Sequence, residues 1–594
     1  MRWTQKQAAT ALLVAVANGQ FVTPPTDLIT KEGYAGINVR YKEVPTGICE
    51  VDPDVKSYSG YADVAENEHI FWWFFEARNQ DPSEAPLTVW INGGPGSSSM
   101  IGLFEELGPC YVDYNGNVVN NPYSWTNASN MLFIDEPTQV GFSYSIPIPG
   151  YEDEDGYIIQ LPNNTCPDYA EAYGTCGTYS KPDFALTDNS TQGAAPNMWK
   201  TIQGFMGAFP QYSRSGFSFT TESYGGHYAP VFNEYIIEQN AKNITGAHKI
   251  ELENVLIGNG WFDPLIQYQA YYNYSVYPGN TYDYDPYNDT VKAEWYNNLY
   301  GEGNCYDQTV QCYETGNNGI CSNADNFCYK KVELPYDIYA GRDEYDMREL
   351  TPDPFPYGFY HDYLNSAEVQ AAIGAFQNFS TSSSTVANSF ATTGDDDRES
   401  GTIEACQKLL AAGVQVMLYY GDADFNCNWL GGQVVADEIA APGYDTAGFV
   451  NITTSDGIVH GQVKQSGLFS FLRIYESGHE VPFYQPLAAL EIFERALAQV
   501  DIATGEESIC DNPSYKTVGT PTSEFREGNA TIQLEVLPSN ATYNRELNAP
   551  DPEPTWAPAA QRVKRSNGPE KRRSKRATGK LGRPRMSRGG KRPA

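Results

Sequence analysis

The sequence predicts an α/β fold: a mostly parallel central sheet flanked by helices, carrying disulfide-stapled insertions. Three observations predict it. Apolar, strand-like runs recur along the chain, and several lead into Gly-rich turns and helical patterns. Two polar, cysteine-bearing stretches interrupt that alternation. At 594 residues the chain is long enough for one large α/β domain with insertions, and 43 tyrosines form part of a hydrophobic content of 41%. In chain order the strand-like runs are 70–75, 87–91, 131–134, 217–220, 252–257, 414–420 and 468–475. A helical pattern over 228–240 follows the fourth run, and another over 402–412 precedes the sixth. The interruptions, about 150–198 and 268–348, are placed over one edge of the sheet, where strand ends carry active sites.

The flanks differ from this body. Residues 1–19 read as a secretory signal: Arg2 and Lys6 precede a short apolar stretch, Ala15-Val16-Ala17 fits a cleavage site, and cleavage after Gly19 is the equal alternative. The domain then runs from 20 to 510, and 511–594 is expected to be an extended tail. Residues 562–594 hold 14 Lys/Arg against one acid, Glu570, a net of +13; with −35 overall, residues 1–561 carry −48. The tail lacks periodicity and reads as disordered and basic from about 562. A nucleic-acid role for it conflicts with a secretory signal, and its polar end does not suggest a lipid-anchor signal. No run is long enough to span a bilayer. The acidic body suits a protein that works in acid, or simply a strongly hydrated surface.

Ten N-x-S/T sequons mark candidate glycosylation sites: Asn127, Asn163, Asn189, Asn243, Asn273, Asn288, Asn378, Asn451, Asn529 and Asn540. Of 11 cysteines, Cys305, Cys312, Cys321 and Cys328 cluster in an Asn/Gly/Asp-rich stretch, which suggests a stapled loop in an oxidising compartment. Their gaps of six, eight and six residues do not match common zinc spacings. Extracellular medium and vacuole both satisfy these signs.

Thr221-Glu222-Ser223-Tyr224-Gly225-Gly226 sits between a strand run and a helical run. A serine at such a sharp turn is a nucleophile elbow: the hydroxyl is exposed, and the helix N-terminus behind it favours developing negative charge. An ordinary Ser-Gly turn is the competing reading. A nucleophilic serine needs a base, and the base needs an orienting acid. In an α/β-hydrolase the order is Ser, acid, His. Asp424, after the run ending at Tyr420, and His479, after the run ending at Tyr475, both fall in post-strand turns. His227 lies four residues past the serine and reads as a structural hydrogen-bonding group. Trp90-Ile91-Asn92-Gly93-Gly94-Pro95-Gly96 supplies glycine backbone for an oxyanion hole; without a following Gly-Lys-Ser/Thr it is no phosphate loop.

Four segments together resemble the serine carboxypeptidases, most nearly their secreted fungal branch, over about residues 35–500. They are 90–99 (WINGGPGSSS), 222–226 (ESYGG), 421–428 (GDADFNCN) and 478–486 (GHEVPFYQP), in the family's order. The resemblance implies an α/β-hydrolase fold and a secreted enzyme that hydrolyses C-terminal residues from peptides at acidic pH. Ser223 would be its nucleophile, His479 the base and then acid, and Asp424 the orienting acid. Gly94 and Tyr224 N–H groups would form the oxyanion hole, and Asn92, Glu106 and Glu222 would bind the substrate carboxylate. Cys427 would be the free thiol near the pocket for the penultimate side chain. No cofactor or metal is implied, and the partners are peptide and protein C-termini, with no nucleic acid.

Adjacent carboxyls such as Glu106 and Glu222 cannot both ionise cheaply, so they share a proton and can donate to a carboxylate. Thr221, Ser97 and Thr138-Gln139 depart from the family's usual residues without touching the triad. The odd cysteine count suits a free Cys427. The pairing expected for the rest is Cys305–Cys328, Cys312–Cys321, Cys166–Cys176 and Cys49–Cys110, with Cys406–Cys510 as the leftover; spacing alone does not fix connectivity. A family acyltransferase would use the same triad with an alcohol as acceptor, an esterase of this fold would share it, and a non-enzymatic binding protein would need a broken triad.

Overall fold

A computed structural model describes residues 21–276, 279–352, 354–538, 541–545 and 548–551. The expected signal over 1–19 and the basic stretch from 562 lie outside them. The fold is organised by a 12-stranded sheet. Its strands are β1 (Ile29–Glu32), β2 (Asn38–Val44), β3 (Ser57–Ala65), β4 (Glu68–Phe75), β5 (Leu87–Ile91) and β6 (Asn130–Ile134), then β7 (Phe217–Glu222), β8 (Leu252–Gly258), β9 (Gln415–Gly421), β10 (Val450–Thr453), β11 (Val459–Ser466) and β12 (Phe469–Ile474). The spatial order is β1-β2-β3-β4-β6-β5-β7-β8-β9-β12-β11-β10. From β6 to β12 the neighbours pair in parallel, and both flanks are antiparallel.

The central strands are buried almost throughout and largely apolar because helices cover both faces, the usual condition of a parallel sheet. In β4, Ile70, Trp72 and Phe74 enter one core, while Phe71, Trp73 and Phe75 enter the other. In β9, Val416 and Leu418 face the first core and Met417 and Tyr419 the second. The first core is closed by α1 (Thr191–Ala208), α2 (Gly225–Lys242), α3 (Thr402–Ala411) and α4 (Trp429–Glu438). The second is closed chiefly by α5 (Pro486–Leu497) and the turn Gly102–Glu106.

The stretch 150–198 includes most of a small three-stranded sheet, and 268–348 folds mainly into helices. Disulfides join Cys49–Cys110, Cys166–Cys176, Cys305–Cys328 and Cys312–Cys321. The leftover pairing Cys406–Cys510 is corrected: both thiols are free, Cys406 buried on α3 in the first core and Cys510 exposed. Cys427 is also free and buried.

Two further expectations are corrected. The chain does not leave the body at Asp511. Thr520 exchanges backbone hydrogen bonds with Phe449, Ser523 and Phe525 accept from Arg473, and Gln533 N–H donates to the Arg348 carbonyl. Asn378 cannot carry a glycan in the folded chain, because it is buried, accepts from Thr178 N–H and donates to Asn365. Asn163, Asn189, Asn243, Asn288, Asn451 and Asn529 are exposed, and Asn127 and Asn273 are half-buried; Asn540 lies outside the described residues. No helix among the described residues is long and apolar enough to cross a membrane.

Candidate active site

Ser223 occupies the turn between β7 and α2 with φ of 62°, a left-handed conformation that non-glycine residues seldom adopt. The turn is held from both sides. Ser223 N–H donates to the Gly258 carbonyl at 3.0 Å, and Trp261 N–H donates to the Ser223 carbonyl at 2.8 Å. Two glycines let α2 start this close to the sheet. A Cβ on Gly225 would meet the Thr221 side chain, so the β-branched residue fills space on the strand that the helix leaves free. A Cβ on Gly226 would lie 2.5 Å from the Trp261 carbonyl oxygen, which is backbone and cannot swing away. Gly226→Ala is therefore expected to destabilise the fold by about 1–3 kcal/mol. A lower denaturant midpoint at unchanged slope would register it.

His479 and Ser223 line one cavity. His479 Nδ1 lies 2.7 Å from Asp424 Oδ2, and both residues are buried. Burial opposes a charge on the imidazole, but the Asp424 carboxylate more than offsets it, so the His479 pKa is raised. The loop is fixed by His479 N–H donating to the Tyr345 carbonyl, with the Tyr345 ring edge-on at 4.9 Å. Asp424 Oδ2 also accepts from Asn259 Nδ2 at 2.8 Å and from Cys427 N–H at 3.1 Å.

The donor atoms of Asp424, Cys427 and His479 fall within 4.8 Å of one another, as a metal site would require. Their chemistry points elsewhere. Asp424 Oδ2 is committed to hydrogen bonds, and burial pushes the Cys427 thiol well up, so it stays protonated rather than becoming a thiolate ligand.

Gly94 has φ of 117°, and its neighbour Gly93 is pressed on the elbow: a Cβ there would meet Tyr224 N at 2.4 Å. The glycine loop and the helix N-terminus thus meet beside Ser223, where backbone donors for an oxyanion are needed.

At the same cavity Asn92 Nδ2 donates to Glu222 Oε1 at 2.9 Å and lies 3.5 Å from Glu106 Oε1. Asn92 is itself immobilised, its Oδ1 accepting from Trp90 Nε1 and Gly102 N–H. Both glutamates are buried, and their carboxyls share a hydrogen bond. Burial raises both pKa values; the charges of Glu480 and Glu105 push Glu106 further up, and those of Glu106 and Glu480 push Glu222 further up. Glu106 Oε2 has no hydrogen-bond partner among the described residues.

His227 stands apart from this chemistry: it is buried on α2 and its Nδ1 lies 2.6 Å from the Trp261 carbonyl oxygen. Sequence reasoning passed over Asn259, which anchors Asp424. Its signal was legible, an asparagine between glycines directly after β8, with φ of 38°. Glu480, whose charge reaches both glutamates and His479, was also missed.

Comparison with known proteins gives one answer. A family model described as serine carboxypeptidase matches residues 47–499. The chain is 38% identical to carboxypeptidase S1 homolog A of Arthroderma otae over 561 residues, covering 86% of this chain and 85% of that protein. It is 37% identical to carboxypeptidase S1 of Penicillium janthinellum over 467 residues, covering 77% of this chain and 99% of that one. In fold it is similar to a prohormone-processing carboxypeptidase of Saccharomyces cerevisiae, with a TM-score of 0.60 at 21% identity, covering 77% of this chain and 96% of that one. The architecture is α/β-hydrolase-like, a mostly parallel sheet between helical layers.

Proposed function

The chain belongs to the serine carboxypeptidase family, and on that premise we propose how its residues divide the work. It is a serine-type carboxypeptidase that removes C-terminal residues from peptides. The Ser223 hydroxyl attacks the carbonyl carbon of the last peptide bond while His479 takes its proton. Gly94 and Tyr224 N–H groups receive the oxyanion. Collapse breaks the C–N bond, and His479 hands its proton to the departing amine. Water, deprotonated by His479, then attacks the ester on Ser223; the C–O bond to the serine breaks, His479 returns the proton to the Ser223 oxygen, and the shortened peptide leaves with a new carboxylate. Asp424, held by Asn259, keeps the imidazole oriented with Nδ1 protonated.

One observation carries the exopeptidase reading: the buried Asn92–Glu106–Glu222 cluster beside Ser223. A shared proton lets that cluster donate to a terminal carboxylate, a group no internal peptide bond offers. Esterase or acyl-transfer chemistry would use the same triad but has no need of this cluster. Four disulfides and the sequons support work outside the reducing cytosol, in the medium or a vacuole.

The cavity also bears on which peptides are cut. Asp325, Glu333 and Asp396 line it near Trp261, Tyr271 and Cys427, and no Lys or Arg lines it among the described residues. The charges of Glu333 and Asp396 act on both Tyr271 and Cys427. Cys427 marks the pocket for the penultimate side chain, so that pocket favours a cation. Substrates with penultimate Lys or Arg are expected to exceed those with Glu by about 10- to 100-fold in kcat/KM, the range of a hydrogen-bonded charge. The test is amino-acid release from N-blocked dipeptides carrying Lys, Leu or Glu at that position, each as free acid and as C-terminal amide. Cleavage of amides as fast as acids would defeat the exopeptidase reading. A Glu333→Gln variant with undiminished Lys-over-Glu preference would defeat the cationic-pocket reading alone.

A further inference from the structure

The family match ends at residue 499, yet the described chain continues to 551 and returns to the active site. Its path is a strap across the end of the sheet that bears the catalytic loops. The Phe525 ring stacks on Tyr475 at 3.8 Å, and Glu527 N–H donates to the Thr281 carbonyl. Arg342 Nη2 donates to the Gln533 carbonyl at 2.9 Å. Further on, Ala541 and Tyr543 join Phe355, Phe483 and Tyr484 in a small apolar cluster.

Arg545 follows. Its Nη2 donates to the Glu105 carbonyl at 2.8 Å, and its guanidinium lies over the rings of Phe483 at 4.7 Å and Tyr111 at 5.1 Å. Asn548 Nδ2 closes the strap on the Glu476 carbonyl at 2.6 Å. Two of these contacts fall on segments that carry the chemistry. Glu105 precedes Glu106 at the end of the turn Gly102–Glu106, and Phe483 lies four residues past His479 in the short helix Val481–Tyr484. One planar cation therefore ties the carboxylate-binding turn to the histidine loop. Only arginine offers a flat face for two rings together with edge donors for a carbonyl; a lysine ammonium cannot do both.

We propose that Arg545 is a positioning residue for this carboxypeptidase: it fixes the Glu106 turn against the helix that follows His479, so that the strap completes the carboxylate-recognising end of the active site. This rests on the reading that Glu106 and Glu222 bind the substrate carboxylate. If the strap only added stability, substituting Arg545 would lower the melting temperature and leave kinetics alone. A positioning role has a narrower signature. Losing the tie loosens Glu106 relative to Ser223 and His479, so KM for substrates with a free C-terminal carboxylate rises while KM for those without one does not.

There is also a charge signature. The charges facing Glu106 are Glu222, Glu480 and Glu105, with Asn92 hydrogen-bonded to it and His479 and Arg545 on the cationic side. Removing the Arg545 cation makes ionisation of the pair harder, so the alkaline fall of kcat/KM moves to higher pH.

The experiment uses the full-length chain as Arg545→Gln and Arg545→Lys beside wild type, with melting temperatures recorded. An N-blocked dipeptide acid and its N-blocked amino-acid methyl ester, which lacks the terminal carboxylate, are the substrates. Expected for the Gln variant are a KM for the acid raised about 3- to 10-fold, the range of one ordinary hydrogen bond because Arg545 acts on the site only through the Glu106 turn, an unchanged KM for the ester, and an alkaline limb at higher pH. For Lys, which keeps the charge but not the geometry, the KM still rises and the limb stays at the wild-type pH. Should Gln fail to fold, the Lys variant decides on KM alone. Unchanged acid KM in the folded variants, or equal losses on acid and ester, would overturn the proposal. If instead wild type shows no preference for the free acid, the carboxylate-binding reading fails first.

Discussion

Ser223→Ala is expected to reduce kcat for release of the C-terminal residue by about 10⁴- to 10⁶-fold, with KM close to wild type. The size follows from what the hydroxyl does: without it no acyl-enzyme forms, and only direct attack by water remains. The residual rate would come from Gly94, Tyr224 and the carboxylate cluster, which in their proposed roles would still hold the substrate and receive the oxyanion. KM is spared because Asn92, Glu106 and Glu222 are fixed by partners other than Ser223: Asn92 is held by Trp90 and Gly102, and the two glutamates by each other and Asn92. Folding should survive too, since the elbow is held through the Ser223 backbone, which alanine retains. The check is single-turnover and steady-state kinetics on an N-blocked dipeptide, with circular dichroism of the variant. Wild-type rates from the alanine protein would remove Ser223 from the chemistry, and with it the covalent route.

The elbow, Asp424 and His479 were legible because each is a short local pattern whose meaning depends on its place after a strand. The parallel core was legible for a related reason: strands buried on both faces, such as β9 with Leu418 on one side and Tyr419 on the other, read as largely unbroken apolar runs. The antiparallel flanks were harder to see. The β2 segment Asn38–Val44 buries only Val39 and Val44 and carries Arg40, Lys42 and Glu43, so composition hides it. Burial of Asn378 and the separation of Cys406 from Cys510 are long-range facts that a sequon or a cysteine count cannot carry. The strap was missed for the same reason. Its anchors are single residues, Phe525, Gln533, Tyr543 and Arg545, spaced without periodicity, and what each one grips lies from about 50 to 440 residues away.

The pH profile should be bell-shaped, and the Glu106→Gln, Glu222→Gln double variant should lose its alkaline side. Until its second ionisation the pair holds a proton and can donate to the substrate carboxylate. Beyond it the pair is doubly negative and repels that carboxylate. Both pKa values are raised by burial first and by neighbouring acids second, so this loss begins above the ordinary carboxylate range of about 4.3. Beyond the raised pKa, kcat/KM falls about tenfold per pH unit. The acid side belongs to His479, which must be neutral to accept the serine proton, and whose charged form Asp424 favours. Acid therefore helps substrate recognition and hinders the base. The two are linked: Glu480 and Glu106 are among the charges that raise the His479 pKa, and a protonated Glu106 no longer does so. Holding the proton on the carboxyl pair thus helps to keep His479 neutral, which extends activity toward acid. Gln at both positions gives a neutral, hydrogen-bond-donating cluster at every pH, so the variant should hold its kcat/KM where wild type declines by about 10²-fold over two units. Both proteins would be followed by kcat/KM on one N-blocked dipeptide from about pH 4 to pH 9, a range chosen to span the two limbs. An alkaline limb unmoved in the double variant would mean that some other group closes the profile, and that the carboxyl pair does not gate recognition.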